Sequence, residues 1–345
     1  MPDLGDNTHL ELAGGGELCA SPPGLVDCAV VIVTYNSARD ITGLLDSLSV
    51  AADGLSLRTV VVDNGSADNT VQLMRNRSDV LCVDVGANVG YAEGINIGRR
   101  HAGEHSTLVV LNPDLVLAAG ALRAMVTAAE EPGAGIVVPA LLDASDCRSR
   151  SLRREPTLAR AIGEGLLGDH LGWRPAWLSE IVRADSDYGY RHQVDWASGA
   201  AMLISTACEQ VVGPWDERFF LYSEEVDYCA RARAAGFRVI YEPAAMAWHR
   251  GAGSGRSDTL VALMAVNRIR YMDKHARRPG IYRAAVVLHE LLRAVNPGHR
   301  AALRAVVNRA RWPALSARLR YPSAGQRERT MGSQNGGSGP RAEPI

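Results

Sequence analysis

Three carboxylates crowd into four positions at Glu224, Glu225 and Asp227. A carboxylate beside an attacking hydroxyl can take its proton as the new bond forms, so this cluster is a candidate acid–base site. Glu224 and Asp227 lie three apart on one helical face, and Asp227 stands four before Arg231, the spacing of a plain ion pair. The alternative is a solvated acidic helix start that complements the dipole. Asn112-Pro113-Asp114 is a second candidate, because carboxylate oxygens can hold the divalent cation that neutralises a departing diphosphate. The same tripeptide is also good turn chemistry before a helix. His249, in Trp-His-Arg-Gly-Ala-Gly, is a candidate metal or phosphate ligand or a structural histidine. The glycines at 251–255 let backbone N–H groups approach a phosphate, with Arg250 or Arg256 adding charge. Asp63 can accept the N3–H of a uracil or thymine ring with Thr34 on its other side, or Asp63-Asn64-Gly65 is only a turn.

The elements that must position these residues are legible in the hydrophobic pattern. Continuous β-branched runs at 28–36, 57–63, 79–85 and 106–114, with a shorter one at 135–139, read as strands buried on both faces. Between them, Ile41, Leu44, Leu45 and Leu48 repeat at helical spacing, with Ser37 as N-cap, and a further helix is expected over 117–130. Alternation of strand and helix with short connections predicts an α/β fold, a parallel sheet covered by helices on both faces. Ligands in such sheets bind beyond the carboxyl ends of the strands, where Thr34, Asp63, Asn88 and Asp114 all fall. Residues 218–243 read as a loop, a helix closed by Gly236 and a strand. Residues 259–320 read as mostly helical, with breaks at Pro279, Pro297 and Pro313.

Composition narrows the class. The chain has 345 residues, 47% hydrophobic and 22% charged, which excludes a wholly disordered, collagen-like or coiled-coil protein. No apolar run is long enough to span a membrane, and the first residues lack the basic and apolar regions of a signal peptide. Six scattered cysteines without Cys-x-x-Cys spacing fit reduced, mostly buried residues of a cytosolic protein. The net charge of −1 hides an asymmetry: residues 1–267 carry 21 basic and 34 acidic side chains, whereas 268–330 carry 15 and 3. Apolar runs between those arginines suit an anionic membrane face, or the segment pairs with the acidic body; nucleic acid is not expected.

The motifs VVIVTYN, VVVDNGSADNT, NVGYAEGINIG, LNPD, DWASGA, SEEVDYCARARAAGFRV and WHRGAGS follow in the order found in family 2 glycosyltransferases. Over about residues 28–275 the chain resembles that family, most nearly its bacterial rhamnosyltransferase-like branch. The resemblance implies a GT-A fold: a doubly wound mixed sheet with flanking helices, here followed by a helical C-terminal extension. It implies an inverting, metal-dependent transfer, with dTDP-L-rhamnose as donor and a lipid-linked or cell-envelope glycan, such as a polyprenyl-diphosphate-linked one, as acceptor. Thr34, Tyr35, Asn36, Asp63, Asn64, Asn88, Gly90, Asn96 and Asn112 then fall on the donor side, and Asp114 and His249 on a Mg2+ or Mn2+ ion. Asn112 stands where the family carries the first acid of its metal motif. Glu225 occupies the position of the base, a glutamate where the family usually has aspartate, with Glu224 and Asp227 beside it. Trp196, Ser198, Gly199 and Ala200 match the acceptor-side segment; the small residues let a sugar approach, and the indole either stacks on a pyranose or is ordinary core. The implied organisation is a leader at 1–27, the transferase at 28–258 (nucleotide-binding 28–140, acceptor side 141–258), basic helices at 259–322 and a disordered tail at 323–345. Such an enzyme works in the cytoplasm, with the basic helices reaching the inner membrane face. Two rivals are a nucleotide-sugar-binding protein that has lost catalysis and a sugar nucleotidyltransferase, the latter disfavoured because TYNSARD replaces its Gly-rich basic loop.

Overall fold

The computed structural model describes residues 24–167, 175–251, 257–276 and 279–320. The leader up to residue 23, the C-terminal tail and Arg256 lie outside the described residues. The strands are β1 (Val26–Thr34), β2 (Leu57–Asp63), β3 (Val80–Asp84), β4 (His105–Leu111), β5 (Leu115–Leu117), β6 (Ala134–Leu142), β7 (Leu152–Arg153), β8 (His192–Val194), β9 (Trp196–Ala197), β10 (Ala201–Ser205) and β11 (Arg238–His249). Eight of them run side by side in the order β3-β2-β1-β4-β10-β6-β11-β5, and β8 adds to β11. The first four are parallel, in line with their β-branched runs, but β10 is antiparallel to both neighbours and β5 is antiparallel to β11. The sheet is therefore mixed rather than wholly parallel. Register places Thr34 beside Asp63 and Asp63 beside Asp84, so the three strand ends finish level.

Helices α1 (Ile41–Ala52), α2 (Thr70–Arg75), α3 (Tyr91–His101) and α4 (Ala121–Ala129) connect the first strands. Helix α1 buries the stripe Ile41, Leu44, Leu45 and Leu48 seen in the sequence. Each such side chain contributes about 1.5–3 kcal/mol on leaving water. Two local expectations change. Asp40 rather than Ser37 precedes α1, and the Ser37 hydroxyl accepts from the Tyr35 N–H at 3.2 Å instead of capping the helix. The helix expected from residue 117 begins at Ala121, because Leu115–Leu117 pairs with β11.

The remaining helices are α5 (Leu158–Leu167), α6 (Thr206–Val212), α7 (Glu224–Ala234), α8 (Asp258–His275), α9 (Pro279–Leu292), α10 (Pro297–Val307) and α11 (Trp312–Arg320). Gly236, at φ +91°, ends α7 as expected. The prolines at 279, 297 and 313 open α9, α10 and α11, since proline lacks only an N–H that a first turn leaves unpaired. The extension is continuous with the body: Val266, Ile269 and Met272 of α8 join one hydrophobic core with Val31, Tyr228 and Tyr241. The described cysteines are free, and Cys28, Cys208 and Cys229 are buried. No helix among the described residues is long and apolar enough to cross a membrane.

Candidate active site

Beyond the carboxyl ends of β1 and β2 two loops knit together. Asp63, fully buried, accepts the Thr34 hydroxyl at 2.8 Å, the Ser66 N–H at 2.7 Å and the Ser66 hydroxyl at 2.6 Å. The Asn36 N–H donates to the Ser66 hydroxyl at 2.8 Å, and Asn36, at φ +53°, accepts the Ala67 N–H at 2.8 Å. The Asp63-Asn64-Gly65 turn and the Thr34–Asp63 pair are thus the same structure. Asn64 donates to the Gly90 carbonyl at 3.0 Å and leaves its own carbonyl oxygen buried without a partner.

The Asn-Pro-Asp segment follows β4 and meets the end of β11. His249 pairs across the ladder with Leu115, which brings its Nε2 to 3.2 Å from Asp114 Oδ1. Asp114 Oδ2 accepts the Gly251 N–H at 3.1 Å. Burial opposes the charge on Asp114, but His249 and the backbone N–H outweigh it and hold the carboxyl below its ordinary range. Asn112 accepts the Tyr91 hydroxyl at 2.8 Å, and its N–H donates to the Ala200 carbonyl at 2.7 Å. The Ser198–Ala200 segment therefore lies against Asn112-Pro113-Asp114. A buried carboxylate just before β5 and a part-exposed imidazole at the end of β11 converge as a pair that suits a divalent cation.

Glu224 and Glu225 open α7 on the same side. A Cβ on Gly199 would come 3.1 Å from Glu225 Cβ, a tight contact that the glycine relieves where α7 approaches. Each glutamate has one buried Oε2 without a partner. Burial raises both carboxyls above the usual glutamate value, and the Glu225 charge pushes Glu224 further. Tyr91 lies among Glu224, Glu225 and Asp114; burial and those charges keep its phenol protonated.

Other expected residues turn elsewhere. Asp227, fully buried, faces Arg231 at 2.9 Å, Lys274 at 2.7 Å and His275 at 2.8 Å, so the ion-pair alternative describes it. Trp196 packs in the core and donates its indole N–H to the Arg154 carbonyl at 3.0 Å, so no broad face is left for a sugar. Asn96 holds Trp215 and Glu217 through three bonds of 2.9 Å, a structural role. Asn88 makes a local turn, accepting the Gly90 N–H at 3.0 Å. Tyr35 meets Ser37 through its backbone, and Ser198 donates its N–H to the Ser151 carbonyl at 3.0 Å.

The segment before α7 carries the strain. Phe220, at φ +65° and ψ −61°, forms a γ-turn closed by the Leu221 N–H on the Phe219 carbonyl at 2.7 Å, and Tyr222 and Ser223 also have positive φ. The Phe220 carbonyl accepts the Tyr91 N–H at 2.5 Å, and a Cβ on Gly90 would sit 2.7 Å from that oxygen. Asn267 of α8, fully buried, directs its amide N–H group at the carbonyls of Phe219, Leu221 and Tyr222 at 2.7, 2.8 and 2.9 Å. Neither Tyr91 nor Asn267 was marked by sequence; an asparagine amid the apolar positions of a helix was the available signal.

Residues 29–195 match the family described as Glycosyl transferase family 2. The N-acetylglucosaminyl-diphospho-decaprenol L-rhamnosyltransferase of Mycobacterium tuberculosis is 30% identical over 270 residues, covering 74% of this chain and 86% of that protein. The chain belongs to glycosyl transferase family 2. Within the family, Rhamnosyltransferase WbbL of Escherichia coli K12 is 25% identical over 236 residues, 66% of this chain and 85% of that one. A crystal structure of GalNAc-T7 with UDP, GalNAc and Mn2+ superposes with a TM-score of 0.55 at 13% identity, covering 87% of this chain and 59% of that one, a likeness of fold alone. The mixed sheet is accordingly that of a GT-A glycosyltransferase, and the protein is a glycosyltransferase.

Proposed function

We propose that this family 2 enzyme transfers L-rhamnose, with inversion, from dTDP-L-rhamnose to a polyprenyl-diphosphate-linked saccharide at the cytoplasmic face of a membrane. The observation that carries the chemistry is the Glu225 carboxylate, with an unpartnered oxygen, packed on Gly199 near the Asn112–Asp114 segment. The transferred rhamnose rests on the two rhamnosyltransferase relatives, the lipid-linked acceptor on the mycobacterial one, and the dTDP carrier on the family resemblance.

In this reading the thymine N3–H replaces the Ser66 hydroxyl at Asp63, with Thr34 holding the carboxylate from behind. Asp114 and His249 would hold a divalent cation, Mg2+ or Mn2+, which when bound supplies positive charge for the departing diphosphate. Glu225 takes the proton of the acceptor hydroxyl as that oxygen attacks the anomeric carbon from the face opposite the leaving group. Its raised pKa makes it a stronger base than a free glutamate. Tyr91 fixes the Asn112 side chain, and Gly199 with Ala200 walls the acceptor side.

The test is purified full-length protein with dTDP-L-rhamnose, UDP-N-acetylglucosamine or GDP-mannose, a polyprenyl-diphosphate N-acetylglucosamine acceptor, and Mg2+, Mn2+ or chelator. Metal-dependent release of dTDP with rhamnosylated lipid supports the reading. Turnover of UDP- or GDP-sugars alone overturns the donor, and full activity in chelator overturns the metal.

A further inference from the structure

Helix α9 has two apolar faces. One, carrying Tyr282 and Val286, is buried against the protein. The other carries Ile281, Ala284, Leu288, Leu291 and Leu292 and continues into Val295 in the following turn, all exposed. Taken at 100° per residue these six positions fall within one ~100° arc, so they form a single stripe rather than scattered surface residues. Its large side chains are 52–89% exposed, and no charged residue interrupts it. An unbroken exposed apolar stripe on a helix marks a surface that is covered in use.

Charge decides what covers it. The stripe lies in the segment where 15 basic residues face 3 acidic ones, against an acidic remainder. Arg300 stands at its tip, donating to the carbonyls of Ala294 and Val295 at 3.3 and 3.0 Å, and Arg304 and Arg311 are exposed on α10 and beyond. A second copy packed stripe to stripe would bring two such basic segments together. An anionic lipid surface instead accepts the leucines among its acyl chains and the guanidinium groups at its phosphates. We infer that the α9 stripe is the membrane-docking face of the protein, taking an anionic phospholipid bilayer as its partner. The inference rests on the lipid-linked acceptor proposed above and names the surface that meets that lipid.

The test is flotation of the full-length protein with vesicles of phosphatidylglycerol and phosphatidylcholine, or of phosphatidylcholine alone, at low and high salt. A triple variant, Leu288→Gln, Leu291→Gln and Leu292→Gln, is compared, with its thermal unfolding and dTDP-induced stabilisation measured to show an intact fold. The expected result is salt-sensitive flotation with anionic vesicles that the triple variant weakens by about tenfold or more. Equal flotation of variant and wild type overturns the inference, as does no flotation of the wild type. A wild-type dimer in sedimentation velocity that the triple variant abolishes, without vesicle binding, assigns the stripe to a second copy instead. Rhamnosyl transfer to a water-soluble acceptor without vesicle binding defeats the docking face alone. Stripe-dependent vesicle binding without any transfer defeats the acceptor reading alone.

Discussion

Glu225 and its neighbours behave oppositely because their surroundings differ. Glu225→Gln removes the proposed base but keeps the shape, so dTDP-induced thermal stabilisation should persist while turnover falls by about 10²–10⁴-fold. The raised pKa of the Glu224–Glu225 pair also makes a stability statement. A carboxyl raised in the folded state contributes stability below its unfolded pKa, and that contribution is lost as pH rises through the folded value. At neutral pH the glutamine variant should therefore melt no lower than wild type, and higher if the charge is costly. Scanning calorimetry checks this. The acid limb of kcat against pH should lie above the ordinary glutamate value of about 4.3, because Glu225 as the proposed base must be ionised to act. An acid limb at or below 4.3 would remove Glu225 as the base. At Asp114, replacement by asparagine should abolish the metal-dependent part of nucleotide binding, read as loss of the Mn2+ increment in thermal stabilisation.

At the scale of elements, the decisive object is the strained segment Phe219–Ser223. It joins the start of α3 through the Phe220 carbonyl, the start of α7 through Ser223, and α8 through the Asn267 amide. Asn267→Asp keeps size and shape but exchanges the donor group for a carboxylate facing carbonyls. It should lower stability by about 1–3 kcal/mol and reduce kcat more than the donor KM, measured by urea unfolding and steady-state kinetics. Equal effects of Asn267→Asp and Asn267→Ala on kcat and KM would mark a purely structural residue. Asp227 belongs to the same junction, tying α7 to the end of α8 through Lys274, the only lysine in the sequence, and His275. Asp227→Ala should cost about 1–3 kcal/mol, unlike Glu225→Gln, because Arg231 and His275 lose their carboxylate while Lys274 keeps Asp216.

For the whole molecule, the C-terminal helices are structural. Removing residues 258–345 would strip Val266, Ile269 and Met272 from the common core, a loss of about 5 kcal/mol or more against a typical total of about 5–15. The truncated chain should be insoluble or fail to unfold cooperatively, whereas the α9 leucine variants remain folded. Acid sensitivity also acts at this scale. Burial opposes the charge on Asp227, but His275, Lys274 and Arg231 hold its carboxyl below the usual aspartate range. Asp216, paired with Arg218 and Lys274, is likewise lowered. Both stabilise above about pH 4, and that stability is lost as pH falls through their depressed values.

The β-branched runs, the helical stripe of α1 and the turn at Gly236 determined the elements, because burial and backbone preference are local and periodic. The level strand ends were legible too, since a parallel ladder puts Thr34 beside Asp63 whatever else the chain does. Side-chain direction was not. Trp196 and Asp227 carry the right chemistry for a sugar face and a base, and only packing turned one into the core and the other toward Lys274. The pairing of Asp114 with His249 spans 135 residues of sequence, and the hold of Asn267 on Phe219 spans 48. Such contacts depend on how β5 meets β11 and how α8 crosses the Phe219–Ser223 segment, relations that no local pattern encodes.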